Sequence, residues 1–170
     1  MSMMSIRAAT PKDRAAIRQV EEHAFGQQAE AGLVDALVAG GHAVVELVAV
    51  EEGQVVGHIL FSRLHVTQAD GRSFAAVALA PLAVEPSFHR TGIGGALVNE
   101  GHRRLRAAGE ALSIVLGDPI YYGRFGYGRA RAAGFDSEFQ GEALQALTWG
   151  EAPAEGRLDY AAAFGSALAA

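Results

Sequence analysis

Residues 74–84, read as Phe-Ala-Ala-Val-Ala-Leu-Ala-Pro-Leu-Ala-Val, contain the longest apolar run of the chain, ten residues over 75–84 interrupted by Pro81. A run this short cannot span a bilayer, which takes about 20 apolar residues. It also lacks the alternation of a strand with one wet face, so it predicts a strand covered on both sides. Pro81 has no N–H for the ladder, which predicts a bulge or a locally open edge at that point.

The segments on either side say what surrounds this strand. Residues 4–8 predict a short first strand. Thr10-Pro11-Lys12-Asp13 reads as a helix start, with Thr10 at the N-cap and Pro11 at the first helical position, leading to a helix that ends near residue 25. Ile17, Val20 and Ala24 supply its apolar face, while Arg14, Arg18, Glu21 and Glu22 lie largely elsewhere. A second helix is predicted over 28–39, from the pairs Leu33/Leu37 and Val34/Val38, and Gly40-Gly41 stops it. The apolar period then becomes extended. Residues 44–50, a Glu-Glu-Gly turn at 51–53, residues 55–66, an Asp70-Gly71 turn and residues 74–84 predict a three-stranded antiparallel meander.

Past the meander, Gly92 to Gly95 lead into a helix to about residue 108, with Ile93, Leu97, Gly101 and Leu105 four apart on one face. Gly109 ends it, and residues 111–116 predict a strand parallel to the one before, joined by a right-handed crossover. A short helix within 118–127 and weaker strand signals at 135–139, 144–149 and 157–160 complete the chain. The whole reads as one domain, residues 1–170, with a sheet of six or seven strands.

Composition excludes several kinds of chemistry. The 170 residues include no cysteine, so thiolate nucleophiles, disulfides and iron–sulfur clusters are absent, and no metal site is predicted. A formal net charge of −5 gives no overall attraction for nucleic acid, though a local basic patch can still hold one phosphate-bearing ligand. His58 and His65 fall on opposite faces of one strand, which argues against joint ligation of a metal. The N-terminus shows no apolar core of signal-peptide length, and with no membrane-length run the expectation is a cytoplasmic protein.

The sharpest chemical signal is Val84-Glu85-Pro86-Ser87-Phe88-His89-Arg90-Thr91-Gly92-Ile93-Gly94-Gly95. A helix that begins at glycines exposes unpaired backbone N–H groups at the positive end of its dipole, and no Cβ blocks the approach of an anion. His89 and Arg90 add donors at the mouth, and Arg103, Arg104 and Arg106 make the same helix basic further along, so a polyanionic ligand is expected here. The dinucleotide fingerprint fails because Leu97 stands where a small residue is needed, and the Gly-Lys-Ser/Thr of a Walker loop is missing.

His89-Arg90-Thr91-Gly92-Ile93-Gly94 after an apolar strand resembles the coenzyme motif Q/R-x-x-G-x-G/A of the GCN5-related N-acetyltransferase (GNAT) family, with His89 where Gln or Arg is usual. Tyr121-Tyr122-Gly123-Arg124-Phe125-Gly126-Tyr127 is similar to the family's second marker. Together with the Asp118-Pro119 lead-in and the 160–164 tail, it resembles more particularly the YhbS-like branch of predicted acetyltransferases. The resemblance implies the GNAT acyl-CoA N-acyltransferase fold, an α/β fold with a mixed, mostly antiparallel twisted sheet flanked by helices on both faces. It implies acetyl-CoA as co-substrate and direct transfer of the acetyl group to a primary amine of a small molecule or peptide. The coenzyme would lie against Leu82, Ala83 and Val84, whose backbone pairs with the pantetheine arm, and against His89, Arg90, Thr91, Gly92, Ile93, Gly94 and Gly95. Tyr122 is the expected general acid, and Tyr121 is read as packing.

No ionisable side chain lies at 77–80, so the general base stays open among Glu21, Glu22, Glu30, His58, His65 and Asp118. Two rival readings remain: a non-catalytic acyl-CoA sensor that needs no phenol at position 122, and a nucleotide-binding module that reads only phosphates. No membrane or nucleic-acid partner is expected, and a homodimer is the default assembly.

Overall fold

A computed structural model describes residues 4–168. Strand β1 (Met4–Ala8) is followed by a single 3-10 turn at Pro11–Asp13 and helix α1 (Arg14–Phe25). The predicted helix start is thus tighter than α-helical for one turn. There the Asp13 carboxylate turns back to accept from the Thr10 N–H at 2.7 Å and its hydroxyl at 3.0 Å, and receives the Arg7 guanidinium on its other side. Helix α2 (Ala29–Ala39) packs beside α1. The meander follows as β2 (Ala43–Glu51), β3 (Gln54–Thr67) and β4 (Ser73–Val84), all antiparallel. Helix α3 (Ile93–Ala107) then crosses to β5 (Leu112–Leu116), which pairs parallel with β4 as the strand–helix–strand order requires.

Two short helices, α4 (Pro119–Gly123) and α5 (Arg129–Ala132), precede β6 (Phe135–Asp136), β7 (Leu144–Thr148), β8 (Gly156–Asp159) and α6 (Ala162–Leu168). The sheet runs β1-β2-β3-β4-β5-β7 and has eight strands, not six or seven, because β6 and β8 join it off this path. The reason lies in β3. Its pairing with β2 ends at Ser62, which leaves residues 65–67 with a free edge that β8 occupies. The strand expected over 135–139 shrinks to two residues paired with β8.

Both faces are covered. On one, Ile17 of α1 and Leu33, Val34 and Leu37 of α2 meet Leu60, Leu64, Ala76, Ala78 and Ile114. On the other, Ile93, Leu97, Val98 and Leu105 of α3 meet Ile59, Phe61, Val77, Leu79 and Val115. Alternate residues of β3, β4 and β5 feed opposite layers, which is why the β4 segment carries almost no polar side chain. Gly101 lets α3 approach closely, since a Cβ there would sit 2.4 Å from the Phe61 ring.

The irregularity that matters for function is in β4. Ile59 faces Leu82 and Phe61 faces Leu79, so two steps along β3 correspond to three along β4, a bulge at the cis-linked Ala80-Pro81. The ladder between β4 and β5 ends at Leu79 and Val115. Beyond these residues no ladder joins the two parallel strands, and residues 80–84 have no strand partner on their β5-facing edge.

Candidate active site

Past the end of the β4–β5 ladder lies a cavity of about 370 Å³, walled by Ala80, Pro81 and Leu82 of β4, Leu116 at the end of β5, Gly117 and Asp118 after it, and Tyr122 of α4. Phe25, Glu30, Leu33, Tyr160 and Phe164 close its other side. A second, larger cavity of about 950 Å³ lies at the start of α3, lined by His89, Arg90, Gly92, Ile93, Gly94, Gly95, Tyr121 and Arg124. Leu82 lines both, so they meet at the end of β4.

The larger cavity is shaped by the glycine junction. Gly92 adopts φ +85°, and the first helical hydrogen bond runs from the Ala96 N–H to the Gly92 carbonyl at 3.0 Å. The N–H groups of Ile93, Gly94 and Gly95 therefore precede the helical ladder and point out of its positive end. A Cβ at Gly94 would lie 2.7 Å from the Tyr121 hydroxyl, so a side chain there would push that ring aside. Two members of the motif are committed to building the loop. The His89 ring meets the Val84 carbonyl through Nε2 at 2.8 Å, and the Thr91 hydroxyl donates to the Phe88 carbonyl at 2.5 Å. Arg90 sits at φ +66°, an uncommon conformation for a residue with a Cβ.

The expectation that Arg103, Arg104 and Arg106 serve the same anion is not met. Arg103 lies ten residues into α3, about 15 Å along the axis, and both Arg103 and Arg104 are paired with Glu100. The second cation at the cavity is Arg124, which lies over the rings of Tyr121 and Phe125 at 5.3 and 5.5 Å from their centroids. Sequence reasoning passed over Arg124 and treated Tyr121 as packing, although both stand in the aromatic motif itself. Tyr121 does pack, edge-on to Tyr122, and its hydroxyl also forms part of the cavity wall.

Tyr122 faces the smaller cavity. Its ring lies across Gly117 and is held edge-on by Tyr121 and Tyr127, at 5.0 and 5.9 Å between centroids. Burial, with a smaller contribution from Tyr121, pushes its pKa well above the ordinary phenol value, so the hydroxyl stays protonated. Tyr127 differs. Its hydroxyl is engaged by His102 at 2.9 Å and Ser113 at 2.8 Å inside the core, which makes it structural.

The candidate bases separate clearly. Glu22 pairs with Arg18, and His65 is exposed on β3. Glu30 and Asp118 line the smaller cavity. Glu21 and His58 form a buried chain: Glu21 Oε2 meets His58 Nδ1 at 2.6 Å, His58 Nε2 meets Glu46 at 2.8 Å, and Glu46 pairs with Arg14. Burial alone would lower the His58 pKa, but two carboxylates outweigh it and hold the ring above its ordinary value. Burial raises Glu21, which His58 offsets only in part. Glu46 is lowered, because His58 and Arg14 together overcome its desolvation. Removing one partner of such a chain strands a buried charge and costs about 3–5 kcal/mol.

Residues 5–130 match the family described as Acetyltransferase (GNAT) domain. The chain is 37% identical over 145 residues to the Uncharacterized N-acetyltransferase YhbS of Escherichia coli K12, covering 81% of this chain and 85% of that protein. Among solved structures, a GNAT family acetyltransferase from Brucella melitensis in complex with acetyl-CoA superposes with a TM-score of 0.82 at 38% identity, covering 95% of this chain and 98% of that one. E. coli YhbS in complex with CoA gives a TM-score of 0.88 at 30% identity, with 97% and 93% covered. The match to the family over residues 5–130, with the match in sequence and fold over most of the chain, makes this chain a member of the GNAT N-acetyltransferase family.

Proposed function

We propose that the protein transfers the acetyl group of acetyl-CoA directly to a primary amine. The observation that carries this reading is the junction at Leu82, where a helix start with unpaired N–H groups adjoins a slot with an unpaired strand edge. The two match the two ends of one ligand: a pyrophosphate for the helix start and an amide-bearing arm for the strand edge. Gly92, Ile93, Gly94 and Gly95 supply backbone donors to the pyrophosphate, with Arg90 and Arg124 as its counter-charges. His89 and Thr91 hold the loop in shape. Leu82, Ala83 and Val84 offer the strand edge, so the arm adds to the sheet as a strand would.

Acetyl-CoA supplies an acyl carbon activated as a thioester, and transfer replaces its C–S bond by a C–N bond. The chain's part is to hold the ends together, exclude water and manage two protons: the nitrogen loses one and the departing sulfur gains one. The protonated Tyr122 hydroxyl, on the slot wall, is the donor to the sulfur.

Tyr122→Phe keeps the ring and removes the proton. Release of free thiol from acetyl-CoA in the presence of an amine is expected to fall about 10²- to 10⁴-fold in kcat, with acetyl-CoA affinity unchanged. Undiminished turnover refutes the role of Tyr122. Acetyl-CoA binding without thiol release, for every amine tried on the wild type, favours a sensor over an enzyme.

A further inference from the structure

The slot between β4 and β5 carries more information than the site of the thioester, because its far side is built from other parts of the chain. Phe25 at the end of α1, Leu33 of α2, and Tyr160 and Phe164 from the C-terminal segment make an apolar, largely aromatic wall. Phe25 is 41% exposed and lines this cavity, so part of its ring has no protein partner. Among the described residues, the only ionisable groups on the lining besides the two tyrosines are the carboxylates of Glu30 and Asp118, with no Lys, Arg or His. The Glu30 carboxylate accepts from Gln27 Nε2 at 3.0 and 3.1 Å, which leaves lone pairs for a second donor. Asp118 caps α4 by accepting from the Ile120 N–H at 2.9 Å.

Size narrows the choice further. About 370 Å³ is near the lower end of small-molecule sites, roughly 300–1,000 Å³, and the thioester end must share it. A polycation with several amines would find at most two carboxylates, one of them at the exposed start of α4. An amine that also carries a carboxylate would bring a like charge to Glu30 with no cation on the lining to receive it.

Resting on the acetyltransferase reading, we propose that the acceptor is a small monoamine on an apolar, aromatic body, whose ammonium is received by Glu30 and whose body fills the wall formed by Phe25, Leu33, Tyr160 and Phe164. Amino acids with a free α-carboxylate are excluded by charge. Glu30 is a binding residue in this scheme: it draws in the cation, and attack follows once the nitrogen has lost its proton.

The test compares 2-phenylethylamine with phenylalanine, which adds only the α-carboxylate, and with spermidine and a lysine-containing peptide, by thiol release from acetyl-CoA. The expected kcat/KM for 2-phenylethylamine exceeds that of each other amine by about 100-fold or more, the effect of a lost or repelled charged partner. Glu30→Gln should raise the KM for 2-phenylethylamine roughly tenfold while the acetyl-CoA dissociation constant stays within about twofold. Equal or better turnover of phenylalanine, spermidine or the peptide overturns the proposal, as does a Glu30→Gln variant with unchanged amine KM. If acetyl-CoA binds and no amine is turned over, calorimetric titration of 2-phenylethylamine into the CoA-saturated protein decides. Binding weakened by Glu30→Gln supports the amine site while the transfer reading fails, and no binding overturns the amine site itself.

Discussion

The close approach of Gly117 to Tyr122 is the most sensitive link between fold and chemistry. A Cβ added at Gly117 would lie 2.4 Å from Cε2 and 2.9 Å from Cδ2 of the Tyr122 ring. Carbon atoms rest about 3.5–4.0 Å apart, so Gly117→Ala must drive the ring off its position by about 1 Å. Tyr121 and Tyr127 stand edge-on against that ring and limit its retreat. Overpacking of this kind costs about 1–3 kcal/mol. Gly117 is not among the positive-φ glycines, so alanine also restricts the unfolded chain and returns about 0.4–1 kcal/mol. Taking the middle of both ranges, the net loss is about 1.3 kcal/mol, a fall in Tm of about 3–5 °C for a chain of this size. Turnover should fall about 100-fold, because a displacement near 1 Å is enough to spoil alignment. The assay is thermal unfolding plus thiol release, for Gly117→Ala in the wild-type and in the Tyr122→Ala background. Without the ring, the same substitution should raise Tm. An equal fall in Tm in both backgrounds, or undiminished turnover, would refute the reasoning.

Arg90→Gly separates binding from stability: it removes the guanidinium but also the Cβ at φ +66°, so Tm should hold or rise while acetyl-CoA affinity drops about 10- to 100-fold. An unchanged dissociation constant would make Arg90 a solvated surface residue. His102 gives a pH dependence. Burial, with a smaller push from Arg106, lowers its pKa to about 4, whereas the unfolded chain takes up the proton near 6.5. Its contribution is therefore complete above about pH 6.5 and is lost as the pH falls toward 4. The shift amounts to about 3 kcal/mol at most, reduced to about 2 by screening at the cavity rim that His102 shares. Denaturant midpoints measured for wild type and His102→Gln should converge by that amount between pH 6.5 and 4, and parallel curves would contradict the assignment.

What could be read from the sequence were features whose cause is local. Gly92 to Gly95 announce a helix start whatever the rest of the chain does. Pro81 in an apolar strand announces a bulge because a missing N–H cannot be repaired from elsewhere, and the bulge is where the sheet opens. The Glu21–His58–Glu46 chain was out of reach, since its partners lie 37 and 12 residues apart on three elements, and it takes both the register of β2 on β3 and the packing of α1 on β3 to bring them together. The strand signal at 157–160 was in the sequence but its place was not, for a similar reason: β8 pairs with β3 only because β2 stops pairing at Ser62. The basic run on α3 misled because charge density along a helix was read without its direction, and Glu100 neutralises what seemed available. Arg124 was visible in the motif, but only the folded turn of α4 carries it over the rings at the cavity.

The central claim is that helix start and strand edge form one site for one ligand. Calorimetric titration of acetyl-CoA and of 3′-phosphoadenosine 5′-diphosphate into the wild-type protein tests it directly. The nucleotide carries every phosphate of the coenzyme and lacks the arm, whose two or three backbone hydrogen bonds and apolar contacts in the slot are together worth about 3 kcal/mol or more. Acetyl-CoA should therefore bind at least about 100-fold more tightly than the nucleotide; equal affinities would mean that the site reads phosphates alone, and that the slot between β4 and β5 has no part in holding the coenzyme.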